Sequence, residues 1–274
     1  MSSGSDSESD HLESSGIRLQ SDWSARQAEF GNVPQAVLLR NLPGPINGLI
    51  DMWHRLLLRW LLAPLAQRQS AWVADLGCGY GRMANEVISM GIPNVAGLDF
   101  EHGFCKKYQA DYGLAIRGSI AKPPFSNASL SAAYSITSLM YIGIRDATSG
   151  LKLLDDGLKP GARILLLEAS SEFNTISRLF LRSKKTQNLA VSGLSRTDLH
   201  AMLPKSWRIT ASGSNMGMTM LLPALLLCTH WKAAFDALSK LALWMDRPLE
   251  KDRDRGWRKF GLHRWVACEK SADQ

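Results

Sequence analysis

Cysteine is scarce in this sequence and does not cluster: Cys78, Cys105, Cys228 and Cys268 share no C-x-x-C spacing. Such scatter supplies neither a zinc site nor a disulfide framework, so a reducing compartment, the cytoplasm, is the expectation. No set of His, Cys and acidic residues has metal-ligand spacing either, and no metal is expected. Nothing resembles a secretory leader, because Met1-Ser-Ser-Gly-Ser-Asp carries acid where a basic and then an apolar stretch would be needed. Long apolar runs are missing as well. Residues 46–63 are interrupted by Asp51, His54, Arg55 and Arg59, and residues 216–227 are too short and contain Pro223. Neither stretch is expected to span a bilayer. There is no internal repeat. Residues 1–16 hold Asp6, Glu8, Asp10 and Glu13 with no Lys or Arg, which reads as a disordered acidic tail.

Positive charge, by contrast, is plentiful. The chain carries a net charge of +7, and residues 177–270 hold 17 basic against 7 acidic side chains. That excess can draw an anionic substrate, a lipid surface or nucleic acid, although a solvated face is the commoner outcome. With 274 residues, 45% of them hydrophobic, the chain can bury a full core. Residues 17–70 read as an N-terminal helical arm or lid. In it Ile46, Leu49, Ile50, Trp53, Leu56, Leu57, Trp60 and Leu61 recur at helical spacing, with His54, Arg55 and Arg59 mainly off the apolar face. Pro64 ends or kinks that helix.

From residue 71 the pattern becomes strand, then helix, repeated. Strands are expected at 71–76, 95–98, 115–117, 130–136, 163–167, 207–211 and 264–268. Helices are expected up to about 90, at 104–112 and 146–158, and from a Ser195 cap to about 203. Lys159-Pro160-Gly161 reads as the turn into the fifth strand. An apolar insert at 216–246, helical beyond Pro223, precedes the last strand. Strands separated by helices of this length imply right-handed crossovers, hence a doubly wound, mostly parallel seven-stranded α/β sheet over 71–270.

The chemistry concentrates in Val73-Ala-Asp75-Leu-Gly77-Cys78-Gly79-Tyr-Gly81. It follows a strand and opens a helix, the place where an open α/β sheet binds its ligand. Alternate glycines let the backbone turn tightly and approach a ligand closely. A dinucleotide site would read G-x-G-x-x-G; here Arg82 occupies the last position and Gly81 comes one earlier. Asp75, two residues before Gly77, can orient an amino-acid moiety. Asp99, 22 residues after Gly77, can accept two ribose hydroxyls.

These residues resemble motif I of the class I S-adenosylmethionine-dependent methyltransferases, and the surroundings resemble the small-molecule branch called type 11. The resemblance runs over about 71–170 and more weakly over 195–212. Leu158-Lys-Pro-Gly-Ala-Arg-Ile-Leu-Leu-Leu-Glu168 is similar to that family's turn into strand five, with Ala162 where a second glycine is usual. It implies a Rossmann-like methyltransferase fold and S-adenosylmethionine as cofactor. It also implies a donor site lined by Asp75, Gly77, Cys78, Gly79, Gly81 and Arg82, with Asp99 on the ribose and Phe100 beside the adenine. Gly118-Ser119-Ile120 stands where the family usually has Gly-Asp-Ala, so Ser119 and the Ile120 N–H would take the adenine, and Ser135 would flank the sulfonium. Lys122-Pro-Pro-Phe125 precedes strand four and begins with Lys, unlike the turn of amino-methyltransferases.

A methyl donor that is already cationic needs alignment and exclusion of water more than proton transfer. Four residues are candidates for catalytic or pocket roles. Glu168, at the end of strand five, either faces the substrate as a base or is tied to a helix N-terminus or a basic side chain. Tyr141 would line the pocket, and His54 and His230 lie in the expected lid segments. The apolar material at 46–63 and 216–246 suggests a small apolar or aromatic acceptor such as a quinone, a lipid or a secondary metabolite, methylated on O, N or C. The competing readings are an RNA or other nucleic-acid methyltransferase, disfavoured by the lack of a separate RNA-binding module, and a catalytically silent partner subunit. A peripheral membrane contact and a homo-oligomer stay open.

Overall fold

The computed structural model describes residues 42–173, 193–251 and 256–272 continuously, with scattered positions between 23 and 39 and residues 175, 253 and 254. The expected tail at 1–16 lies outside the described residues. Five strands pair in parallel: β1 (Trp72–Leu76), β2 (Asn94–Asp99), β3 (Leu114–Arg117), β4 (Leu130–Ile136) and β5 (Leu158–Ala169). The last two, β6 (Trp207–Ser214) and β7 (His263–Lys270), are antiparallel to one another, and β7 also runs antiparallel to β5. The order across the sheet is β3-β2-β1-β4-β5-β7-β6.

Helices cover both faces, so the central strands are apolar on both sides rather than alternating. On one face, α1 (Gly44–Leu62), α2 (Ala84–Ser89) and α3 (His102–Tyr112) pack with Val73, Tyr134, Leu165 and Leu167. On the other, α4 (Ile144–Gly157) and α5 (Arg196–Ala201) pack with Ala74, Leu76, Ala133 and Ile164. Ser195 caps α5 in a capping box with Asp198, as its place before the helix suggests. The insert forms a helical hairpin, α6 (Met216–Leu227) and α7 (Lys232–Met245).

Three expectations change. Helix α6 begins at Met216 and runs through Pro223 instead of starting after it. Its entry is fixed from a distance: the Asp246 carboxylate accepts the Gly217 and Met218 N–H groups at 2.7 and 2.6 Å, satisfying first-turn donors that have no partner inside the helix. Lys159-Pro160-Gly161 does not precede β5 but bulges from within it. Leu130 pairs with Leu158 and Ala132 with Arg163, while Gly161 takes a φ of 74°. Proline offers no N–H to a ladder, so these residues loop out while pairing continues on either side. Finally, His54 is not off the apolar face of α1 but fully buried with it.

Helix α1 runs antiparallel to the parallel strands. Trp53 stacks on His263, level with the carboxyl end of β5, whereas the Leu61 carbonyl accepts from Arg163 near the start of that strand's main run. Trp53 is wholly buried, and its Nε1 donates to the Asp246 carbonyl at 3.0 Å. It is a core residue that pins α1 to the end of α7, not a lid wall. Among the described residues no helix is long and apolar enough to cross a membrane.

Candidate active site

The loop leaving β1 is sewn to the end of β2. Gly77 and Cys78 both donate to the Leu98 carbonyl, and Gly79 N–H donates to Asp99 Oδ2 at 2.9 Å. The other Asp99 oxygen accepts Glu101 N–H at 2.9 Å. Gly77, Gly79 and Gly81 all have positive φ, at 70°, 53° and 88°. At Gly77 the requirement is the strictest, since a Cβ there would also overlap Ser138 Oγ and Cβ. Ser138, at the exit of β4, returns a hydrogen bond from its Oγ to the Gly77 carbonyl at 3.3 Å. The result is a cradle of backbone at the carboxyl edge of β1, β2 and β4, overhung by Val37, whose Cγ1 would meet a Cβ on Gly79 at 3.5 Å.

Two carboxylates frame this cradle. Burial lifts the Asp99 pKa to about 6, against the pull of the Glu101 and Gly79 N–H groups. Asp99 thus reaches the site with each oxygen already accepting one N–H, and each carboxylate oxygen retains a further lone-pair direction. Asp75 points to the face covered by α1, α2 and α3, with Val73 and Cys78. Burial raises it to about 7, with Tyr134 and the Arg82 charge opposing. The Tyr134 hydroxyl approaches without closing a hydrogen bond of full geometry, and Asp75 Oδ2 is left buried without a hydrogen-bond partner. A buried acceptor in that state suits a donor group brought by a ligand.

The other donor-site residues separate. Phe100 is half-buried next to Asp99, and its carbonyl accepts from Arg117. Ser119 is exposed, its Oγ accepting Ala121 N–H at 3.1 Å, which leaves the hydroxyl proton for a ligand. Ile120 is buried, with its Cδ1 beneath Gly77. Cys78 contributes backbone only; its thiol is buried and pushed well up by burial and the charges of Asp75 and Asp99. Arg82 turns away from the cradle. Its Nη1 bonds Asp51 at 2.6 Å and lies 3.3 Å from His54 Nδ1, tying the glycine turn to α1.

That network decides His54. Arg82 is a donor only, so Nδ1 must accept and the proton resides on Nε2. Burial first, then the Arg82 charge, holds the His54 pKa well below its ordinary value. His54 is therefore a neutral core residue 5.1 Å from the His263 ring, closed to solvent. Glu168 is likewise tied. It is fully buried, and its carboxylate accepts the N–H groups of Ser138, Leu139 and Met140 at 3.2, 3.0 and 3.3 Å, capping the 3-10 turn Leu139–Tyr141. Burial pushes its pKa to about 8 despite these bonds and despite Ser135, itself completely buried at its side. Of the two readings open for Glu168, the helix-terminus one matches this geometry. His230 stands exposed in the turn after α6, on the order of 18 Å from that helix's start by its rise.

Tyr141 does reach the site's rim, where its ring meets the Trp23 ring edge-on at 5.2 Å. Trp23 also packs against Phe104 at 6.3 Å, and its neighbour Ser24 donates to Glu101 Oε1. Sequence reading did not find Trp23, Glu101 or Ser138. Glu101 had a local signal, since it caps α3 by accepting Phe104 N–H at 2.7 Å. Trp23 had none, lying in a helical stretch far before the glycine turn in the chain. No group of three or more His, Cys, Asp or Glu suited to a metal occurs among the described residues.

Comparisons with known proteins bear on the fold and on the segment that carries the glycine turn. Residues 73–161 match the family model described as a methyltransferase domain. The chain is 35% identical over 82 residues to ribosomal protein L11 methyltransferase of Xanthomonas campestris pv. campestris, covering 29% of this chain and 27% of that protein. It is 26% identical over 114 residues to O-methyltransferase resE of Aspergillus sclerotiorum, covering 39% and 42%. It thus spans less than half the length of these curated relatives. Among solved structures, Haemonchus contortus phosphoethanolamine N-methyltransferase 1, in complex with phosphoethanolamine and S-adenosylhomocysteine, superposes with a TM-score of 0.57 at 17% identity, over 96% of this chain and 49% of that one. Residues 73–161, the stretch that carries the glycine turn, thus match a methyltransferase domain model, and the seven-stranded α/β sheet around them has the fold of a solved methyltransferase.

Proposed function

We propose that the protein transfers a methyl group from S-adenosylmethionine to an oxygen, nitrogen or carbon nucleophile of a small, largely apolar molecule. The observation that carries this is the left-handed glycine turn at the carboxyl end of β1, joined to β2 through Asp99. S-adenosylmethionine would supply the methyl on a cationic sulfur. In this reading Asp99 accepts the ribose hydroxyls, Phe100 flanks the adenine, and Ser119 and the Ile120 N–H meet its polar edge. The free lone pairs of Asp75 serve the methionine end. Glu168 sets the Ser138–Met140 turn that backs the glycine loop, a positioning role. Apolarity of the acceptor is supported by α6, in which Thr219 is the single hydroxylated side chain among aliphatic and methionine residues.

Calorimetric titration tests the donor assignment. Asp99→Ala should lose a charge-assisted bond and bind S-adenosylmethionine more weakly by about 1.5–3 kcal/mol. Unchanged affinity in a folded variant rejects it, and binding of NAD in place of the methyl donor overturns the reading as a whole. Incubation with labelled donor and fractionated apolar extracts then identifies the acceptor class.

A further inference from the structure

The α6–α7 hairpin leaves a large apolar area uncovered. Helix α6 is apolar on all sides, a composition expected of a helix buried all round or set in lipid. Yet only Gly217, Met218 and Leu225 of it are buried. Leu227 is 81% exposed, Trp231 70%, Trp244 61% and Met220 56%. On α6, Met220, Pro223 and Leu227 fall on one helical stripe that leads into Trp231. On α7, Lys240 and Trp244 share a stripe, and Arg247 follows just past the end of the helix.

Basic groups accompany this area. The Arg247 guanidinium lies 5.5 Å over the Trp244 ring, and the Arg258 guanidinium 5.1 Å over the exposed ring of Trp257. Arg247, Arg253 and Arg258 converge on one cleft with Ser214, Asp246 and Trp265. The acid in that cleft, Asp246, uses its two oxygens on the α6 N-terminus. Burial, followed by the Arg258 charge, depresses the Arg253 guanidinium, with Asp246 opposing. Among the described residues lining the cleft, three cations face the single acid Asp246, an excess of positive charge that fits anionic phosphate groups. Indole rings at headgroup level, aliphatic side chains beyond them and arginines on phosphate make the chemistry of a protein lying on an anionic bilayer.

We propose that the α6–α7 hairpin and the Arg247, Arg253 and Arg258 cleft form a docking surface for an anionic phospholipid membrane. Helix α6 leaves the sheet at the carboxyl end of β6, level with Arg264 and Glu168, the edge that also carries the glycine turn. Docking there would hold the candidate site close to the lipid. The docking surface is independent of donor binding, since none of its residues belongs to the donor cradle, although α6 also supports the apolar acceptor of the proposed function.

The test is co-sedimentation of the full chain with phosphatidylglycerol-containing vesicles and with pure phosphatidylcholine vesicles. Binding to the anionic vesicles alone, weakening as salt rises, is expected. Arg247→Glu with Arg258→Glu should lower it by about twenty-five-fold or more, at roughly fivefold per arginine. Leu227→Ser with Trp231→Ser should lower it as well. Donor titration, measured on each variant, should not change, which separates this proposal from the methyl-transfer reading. Binding to neither vesicle, or binding that both double variants leave intact, overturns it. So does a concentration-dependent dimer abolished by Leu227→Ser with Trp231→Ser, which would make a second copy the occupant.

Discussion

Gly77 shows how much a single residue position can demand. Its φ of 70° costs a residue with a side chain about 1–2 kcal/mol, and a Cβ would in addition overlap Ser138. Gly77→Ala should lower the thermal midpoint and abolish measurable donor binding. Adding Ser138→Gly should recover part of the stability, because it removes the overlap but not the backbone strain. If Gly77→Ala alone binds donor normally, the cradle has been misassigned. The glycines were legible because their need is local, a tight turn written in three alternate positions. The partners of Glu168, Arg82 and His54 were not. Glu168 is satisfied by N–H groups about 30 positions earlier in the chain, and Arg82 finds Asp51 and His54 across the α1–glycine turn contact. Sequence can name such side chains but cannot say what they face.

Among the elements, the strands were the most legible, and β4 has the expected bounds. A strand buried on both faces is a short apolar run wherever it lies. The helices of the insert were read wrongly at their start because Pro223 looks like a barrier, whereas Asp246 supplies the α6 entry from the end of α7. Helix α1 was legible as amphipathic but not in its role. Trp53→Ala should destabilise the chain by about 3–5 kcal/mol in urea unfolding, as expected for emptying a buried aromatic site. Trp53→Phe, which mainly loses the bond to the Asp246 carbonyl, should cost less, at about 0.5–1.5 kcal/mol for that bond alone. Neither should alter donor affinity in the folded protein. A Trp53→Ala protein of full stability with a raised substrate KM would restore the lid reading.

Across the whole molecule, buried acids give stability a definite pH dependence. Asp99 and Asp246 are raised to about 6, Asp75 to about 7 and Glu168 to about 8. Each folded acid keeps its proton at a pH where the unfolded chain has released it, so stability is highest below the ordinary carboxylate range and is lost as pH rises through these values. His54 and His263 act in the opposite sense. Both are depressed, His263 to about 3, so they remove stability only as pH falls below the ordinary histidine value. The interval from about pH 6.5 to 8 is thus governed by Asp75 and Glu168. The thermal midpoint of donor-free protein should fall across it, and Glu168→Gln should flatten the decline; a midpoint that rises there contradicts the burial of these groups.

The strand order has a kinetic meaning. Strand β7 enters between β5 and β6, both synthesised before it. During translation those two strands have no partner on their facing sides, and each presents a ladder of open backbone groups until residues 263–270 arrive. A nascent chain stalled before that point carries two adhesive edges, so synthesis halted there should yield aggregates in place of a smaller folded domain.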